Sequence, residues 1–167
     1  PKTYFNLGEG MAPVEEYFKH SIPLGLATDG AASNNTMDIM EQMRLMAMFM
    51  KYRSGDATVM PIGQALEIAF RSSAKVMHLE NQIGELKSGL QADIVLIRQD
   101  GLYAVPKANP LAALVYCLRG SDVDTVLCGG KILMRGRELL TIDREKVKKE
   151  VQSRMHRLSK RVPGNRI

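Results

Sequence analysis

The apolar positions in the first half of the chain alternate between helical spacing and one short continuous run. Within residues 11–20, Val14, Tyr17 and Phe18 stand at i, i+3 and i+4, which predicts a short helix. The run Ile22–Ala27 is broken only by one proline and one glycine, and it predicts a buried strand. A helix followed by a strand is the second half of an α/β repeat.

Two longer helices are predicted next. Residues 37–53, with Asn35 or Thr36 as the N-cap, carry apolar side chains at spacings of three and four: Ile39, Met43, Met46 and Met50. Such methionines fill a core or form an adaptable groove for a partner, and their helical spacing favours the core. The second helix spans 61–77 and begins with a proline, and its predicted apolar face consists of Leu66, Ala69, Phe70 and Ala74.

The pattern changes after about residue 80 to glycine-rich turns and short apolar runs. These predict a strand at Ile94–Ile97, a short helix opened by Asn109, and a hairpin of Val123–Cys128 with 131–134. Asp143 is the predicted N-cap of a basic terminal helix. We therefore divide the chain into three parts, which are residues 1–78, 79–140 and 141–167.

Composition narrows the class of protein. Hydrophobic residues make up 45% and charged residues 25%, which is typical of a globular protein, and no apolar run approaches the ~20 residues that span a bilayer. Much of the +5 net charge lies in 144–166 without interleaved aromatic residues, which favours a solvated helix over a nucleic-acid partner. Cys117 and Cys128 form no C-x-x-C motif, and we expect buried thiols in a reducing, cytoplasmic setting.

Asp29 is the strongest candidate for chemistry. It follows the predicted strand directly, where functional side chains of α/β folds lie, and the next residues are small. A carboxylate there needs a partner, which could be a metal, another cation or helix N–H groups. The alternative is that Asp29 only caps the loop through its own backbone. None of the three histidines forms a ligand pair, and we expect surface positions for His20, His78 and His156.

Three segments carry a family resemblance: GLATDGAASNNTMDIMEQMR, IGELKSGLQADIVLI and NPLAALVYCLRGSDVDTVLCGGKILMRGRELLTID. They resemble the carboxyl-terminal part of amidohydrolase-superfamily enzymes, in the branch of chlorohydrolases and methylthioadenosine or S-adenosylhomocysteine deaminases. The resemblance implies an α/β fold. Residues 1–78 would form the last helix-strand-helix units of a TIM-type (β/α)8 barrel. Residues 79–140 would belong to a small β-sandwich, followed by the terminal helix.

The resemblance also implies site roles. Asp29 would bind one divalent metal, zinc or iron, and move a proton during deamination or dechlorination of a purine, pyrimidine or triazine-like ring. Ser33, Asn34 and Asn35 are candidates for the substrate loop. The family's histidine ligands are absent from this sequence, so we expect a missing amino-terminal portion of the same chain, no activity without it, and a homo-oligomer.

Two other hypotheses stay open at this point. The chain could be a non-catalytic relative, a binding or scaffold module whose net charge of +5 contacts nucleic acid or another anion. It could also be a self-contained enzyme that combines Asp29 with histidines or cysteines from elsewhere in the chain.

Overall fold

The computed structural model describes residues 1–161 and combines helices with one small sheet. The helices are α1 (Lys2–Leu7), α2 (Val14–Lys19), α3 (Ala31–Asn34), α4 (Ile39–Ser54), α5 (Ile62–Glu67), a π-helical turn (Ile68–Ser72), α6 (Ser73–Val76), α7 (Pro110–Tyr116) and α8 (Arg144–Ser159). The strands are β1 (Ile94–Ile97), β2 (Val123–Cys128), β3 (Lys131–Arg135) and β4 (Glu138–Leu139). The prediction of a mixed fold of helix and sheet is confirmed.

Helix α4 forms the centre of the main core. Met43, Met46 and Met50 are at most 4% exposed and pack with residues of α2, α5 and α7, so the prediction of a core stripe is confirmed. Two details were wrong. Ile39 is exposed, and the N-cap is Asp38, whose carboxylate accepts hydrogen bonds from the N–H groups of residues 40 and 41. A carboxylate caps as well as an amide or hydroxyl and also complements the helix dipole.

The predicted helix over 61–77 is present but contains a π-helical turn at Ile68–Ser72. The wider turn rotates the side chains that follow it relative to an α-helical pattern. Ala74 is buried as predicted, but Phe70 is 48% exposed, while Ile68 and Ala65 are buried in the core. The predicted apolar face was therefore wrong at Phe70.

The prediction of a buried strand at Ile22–Ala27 was wrong. The segment is irregular and has no strand partner within 1–161, and Ile22 is 49% exposed. Backbone groups of the segment form hydrogen bonds with helix side chains and not with a neighbouring strand. The Ser72 hydroxyl donates to the Leu24 carbonyl at 2.6 Å, and the Ser73 hydroxyl accepts the Leu26 N–H at 2.9 Å.

The sheet is antiparallel, in the order β1-β2-β3-β4. The predicted strand Ile94–Ile97 and the hairpin of β2 and β3 are confirmed, and the two-residue strand β4 is an addition. The prediction of buried thiols was wrong for Cys128, which is exposed because it ends β2 at the hairpin turn, whereas Cys117 is half-buried.

Two polar contacts join α4 to the second half of the chain. The Asp38 carboxylate, besides capping α4, accepts the Gly120 N–H at 2.9 Å. The Arg44 guanidinium donates to the carbonyls of Val115 and Leu118 at the end of α7. Both contacts lie beside a second small core of Met40, Ala104 and Leu118.

Helix α8 begins at its predicted cap, since the Asp143 carboxylate accepts the Lys146 N–H at 2.9 Å. None of its residues is buried. The end of the predicted basic tail, residues 162–167, lies outside the described part of the chain. Over residues 1–161 no helix has both the length and the apolar character needed to cross a bilayer.

Candidate functional site

Asp29 lies two residues after the irregular segment Ile22–Ala27, where the loop before α4 begins. Its side chain is exposed, and its backbone is in the left-handed region with φ 65°. Asp and Asn tolerate this conformation better than other side chains with a β-carbon do. Oδ1 accepts the Gly30 N–H at 2.7 Å, so Asp29 does turn the loop through its own backbone, as the alternative interpretation holds.

Ser33 holds the other carboxylate oxygen. Its Oγ lies 2.8 Å from Asp29 Oδ2, four residues earlier in the chain. The structure thus brings together Asp29 and Ser33, which sequence analysis placed in one loop without predicting a contact between them.

These two hydrogen bonds hold the pKa of the Asp29 carboxyl below its ordinary value. The Ser33 hydroxyl makes the largest contribution and the Gly30 N–H the next, because both donors stabilise the charged form. Slight desolvation acts in the opposite direction and is outweighed. Asp29 is therefore ionised at neutral pH, which is the state that a metal ligand requires.

Asn34 is completely buried and holds the loop from inside. Its Nδ2 donates to the carbonyl of Thr28, and its Oδ1 accepts from the Thr36 hydroxyl at 3.2 Å and the Met37 N–H at 3.3 Å. Asn35, by contrast, is exposed, with φ 73°, at the end of α3. Of the three candidates for the substrate loop, only Asn35 and the half-buried Ser33 reach solvent, and their contact with substrate stays a prediction.

Helix α1 packs against this loop and was not predicted. The Asn6 amide donates to the Ser33 carbonyl at 2.8 Å, and the Thr3 hydroxyl lies 3.4 Å from the Ser33 hydroxyl. The buried Gln42 of α4 accepts the backbone N–H of Lys2 at 2.9 Å, which fixes the start of α1 on α4. No periodicity marked this helix, because none of its residues is buried.

The residues of this loop fit a divalent metal only in part. The ionised carboxylate of Asp29 is a ligand that zinc accepts. However, the part of the chain that the structure describes holds no group of three His, Cys, Asp or Glu side chains able to bind a metal. The three histidines are exposed, as predicted. Asp29 can supply one ligand, and the hypothesis of a self-contained metal enzyme has no support within 1–161.

Comparison with known proteins reveals extensive similarity. The profile of the amidohydrolase family matches residues 1–133. The chain is 41% identical over 158 residues to a 5-methylthioadenosine/S-adenosylhomocysteine deaminase of Desulforudis audaxviator, covering 95% of this chain and 37% of the relative. It is 36% identical over 145 residues to a 5'-deoxyadenosine deaminase of Methanosphaera stadtmanae, covering 87% and 34%. The chain thus spans little more than a third of the length of these curated relatives.

Solved structures agree with the sequence matches. An adenosine deaminase from Xanthomonas campestris with bound zinc superposes with a TM-score of 0.89 at 28% identity, covering 94% of this chain and 36% of that one. Atrazine chlorohydrolase from Arthrobacter aurescens, complexed with zinc, gives a TM-score of 0.78 at 26% identity, covering 91% and 34%.

Proposed function

Because this chain belongs to the amidohydrolase family, we propose that it is the carboxyl-terminal part of a metal-dependent deaminase that acts on an adenosine derivative. Residues 1–78 would then complete a TIM-type barrel, and residues 79–140 would form part of a β-sandwich. The observation that carries the proposal is the solvent-facing, ionised carboxylate of Asp29 in a loop of small residues. The chain that contains this loop is 41% identical to such a deaminase.

The relatives favour deamination over dechlorination. The two curated relatives described above are both named as deaminases, at 41% and 36% identity. The chlorohydrolase resembles this chain at the lower identity of 26%. A 5'-modified adenosine is therefore the substrate class that we propose. The reaction is hydrolysis, in which oxygen from water replaces the amino group on the ring carbon and ammonia leaves.

Within that enzyme, this chain supplies the carboxylate of Asp29. A divalent metal, when bound, supplies a Lewis acid that activates water, and zinc is present in the two solved structures above. Asp29 would serve as one ligand and as a proton acceptor. Its two hydrogen bonds leave further lone pairs on both oxygens for these tasks. The histidine ligands would come from outside this chain.

The test is an assay of the complete protein that contains this chain, loaded with zinc. We expect it to release ammonia from S-adenosylhomocysteine or 5-methylthioadenosine. Asp29→Asn keeps the shape of the side chain and its tolerance of positive φ but removes the charge, so the variant should fold normally and lose activity by at least ~10²-fold. Asp56→Asn is the matched control, because Asp56 is also an exposed, hydrogen-bonded loop aspartate.

Two results would contradict the proposal. Near wild-type turnover by folded Asp29→Asn would remove Asp29 from the reaction. If the zinc-loaded wild-type protein released no ammonia but bound polyanions in a salt-dependent manner, the non-catalytic alternative would replace the deaminase.

A further inference from the structure

We propose that Ser33 is a positioning residue whose hydroxyl orients the Asp29 carboxylate for metal binding. This inference rests on the proposed function, which gives Asp29 a metal-ligating role. The family resemblance made Ser33 a candidate for contact with substrate. Its position in the structure, 2.8 Å from Asp29 Oδ2, assigns it to the carboxylate instead.

The contact fixes the plane of the carboxylate. The Gly30 N–H holds Oδ1 at 2.7 Å, while Ser33 holds Oδ2, so rotation of the carboxylate would break both bonds. With the Ser33 hydroxyl removed, the Gly30 bond would be the one left of these two, and the carboxylate could turn about it. A ligand fixed before the metal arrives loses less conformational entropy on binding.

The Ser33 hydroxyl has a single proton, and two acceptors lie within reach. Asp29 Oδ2 at 2.8 Å is charged and closer than the Gly30 carbonyl at 3.2 Å. Charge-assisted hydrogen bonds are about twice as strong as neutral ones, so the proton points to Asp29. The hydroxyl then has no proton left to donate to a substrate.

Residues of helix α1 hold Ser33 in place. Its carbonyl accepts the Asn6 amide at 2.8 Å, and its Oγ lies 3.4 Å from the Thr3 hydroxyl, which can donate to it. The backbone of Asp29 is held separately, because the buried Asn34 amide binds the carbonyl of Thr28, in the peptide unit that precedes Asp29. Side chain and backbone of Asp29 are therefore fixed by different residues, and Ser33 can be tested alone.

The test compares Ser33→Thr with Ser33→Val in the complete protein. The two replacements have nearly the same shape and differ in the hydroxyl. Zinc affinity is measured by competition with a chromophoric chelator, since partners of metal ligands typically contribute about 10- to 100-fold to metal affinity. We expect Ser33→Val to bind zinc about 10- to 100-fold more weakly. Ser33→Thr should remain close to wild type, as should Ser153→Ala on the exposed face of α8.

Kinetics provide a second readout. In Ser33→Val, kcat with S-adenosylhomocysteine should fall while KM changes little, because the side chain orients a ligand and does not bind substrate. Equal zinc affinity of the Val and Thr variants would overturn the inference, and so would a raised KM at unchanged kcat. Failure of the proposed function would look different, because the wild-type protein itself would bind no zinc and release no ammonia.

Discussion

At the scale of single residues, the loop around Asp29 shows how neutral side chains set the state of a charged one. No Lys or Arg forms a salt bridge with Asp29 among the ion pairs within 1–161. Its pKa is lowered mainly by a hydroxyl and a backbone N–H. The carboxylate is therefore kept ionised chiefly by hydrogen bonds from neutral donors and not by a Lys or Arg side chain.

Removal of the Ser33 hydroxyl should raise the pKa of Asp29. The charged form loses its strongest donor in Ser33→Ala, so protonation becomes easier. A pH titration of the Asp29 carboxyl carbon by NMR measures the change. Thr58→Val is the control, because Thr58 lowers the pKa of Asp56 in the same way, and this variant should shift Asp56 alone. An unchanged Asp29 titration in Ser33→Ala would contradict the hydrogen bond between Ser33 and Asp29.

The lowered pKa of Asp29 also sets the sign of its effect on stability. A group whose folded-state pKa lies below its unfolded value stabilises the fold above the unfolded pKa. That contribution is lost as the pH falls through the folded value. For Asp29 the loss lies below its ordinary pKa of 3.8, and its exposure to solvent keeps the contribution small.

At the scale of elements, Asp38 and Asp143 perform the same local task with different consequences. Both cap the start of a 16-residue helix. Asp38 also binds the Gly120 N–H, and α4 lies at the centre of the main core. Asp143 caps α8, in which no residue is buried.

We therefore expect Asp38→Ala to destabilise the fold more than Asp143→Ala does. A lost cap costs about 1 kcal/mol, and the unpaired Gly120 N–H adds about 1–3 kcal/mol in the first variant. Asp143→Ala should lower the global free energy of unfolding by less than about 1 kcal/mol, since only α8 loses order. Urea denaturation followed by tyrosine fluorescence measures both, because the chain has no tryptophan and its five tyrosines all lie outside α8. Equal losses would mean that α8 is part of the cooperative unit.

The elements also show what sequence could and could not predict. Helix α4 and β1 were predicted because periodicity and short apolar runs are local signals. Residues 22–27 have the composition of a strand, but a strand requires a neighbouring strand for its backbone hydrogen bonds. Within 1–161, backbone groups of this segment bond to serine side chains and not to a strand. The π-helical turn that exposes Phe70 has no local sequence signal.

The same distinction applies to the candidate site. Asp29 was found because of its position after an apolar run. Ser33 stands four residues later in the same loop, and this short separation allows the contact without predicting it. The contacts from Thr3 and Asn6 join residues 27 to 30 positions apart and had no sequence signal. Asn34 was named for its chemistry, but its burial depends on how the whole loop folds.

At the scale of the whole molecule, exposed apolar surface is widespread, whereas the excess of positive charge lies near the end of the chain. Large apolar side chains lie exposed over much of residues 1–161, with Tyr52 86%, Leu86 80% and Leu102 93% exposed, and Val151 of α8 is 61% exposed. Residues 144–161 carry eight Lys or Arg and two Glu. The first feature favours association with other protein surfaces, and the second favours anionic partners.

Salt distinguishes these two modes of association. We propose that the 167-residue chain associates with itself through its apolar surface, in agreement with the homo-oligomer expected from the sequence. Sedimentation velocity should then show association that persists or strengthens from about 0.1 M to 1 M salt, where the Debye length shrinks from ~10 Å to ~3 Å. Association that disappears at high salt would assign it to the charges of α8, and a monomer at both salt concentrations would contradict the proposal.

The contacts of Ser72 and Ser73 with the irregular segment Ile22–Ala27 have a consequence for the order of events during synthesis. Leu24 and Leu26 bind side chains that stand 48 and 47 positions later in the chain. While the ribosome is still making residues up to Ser73, these backbone groups cannot form the hydrogen bonds that they have in the finished structure. The stretch that leads to Asp29 therefore reaches its final path after α4 has been translated. The carboxylate of Asp29, which follows this stretch directly, would thus take its final position only after Ser72 and Ser73 have been made.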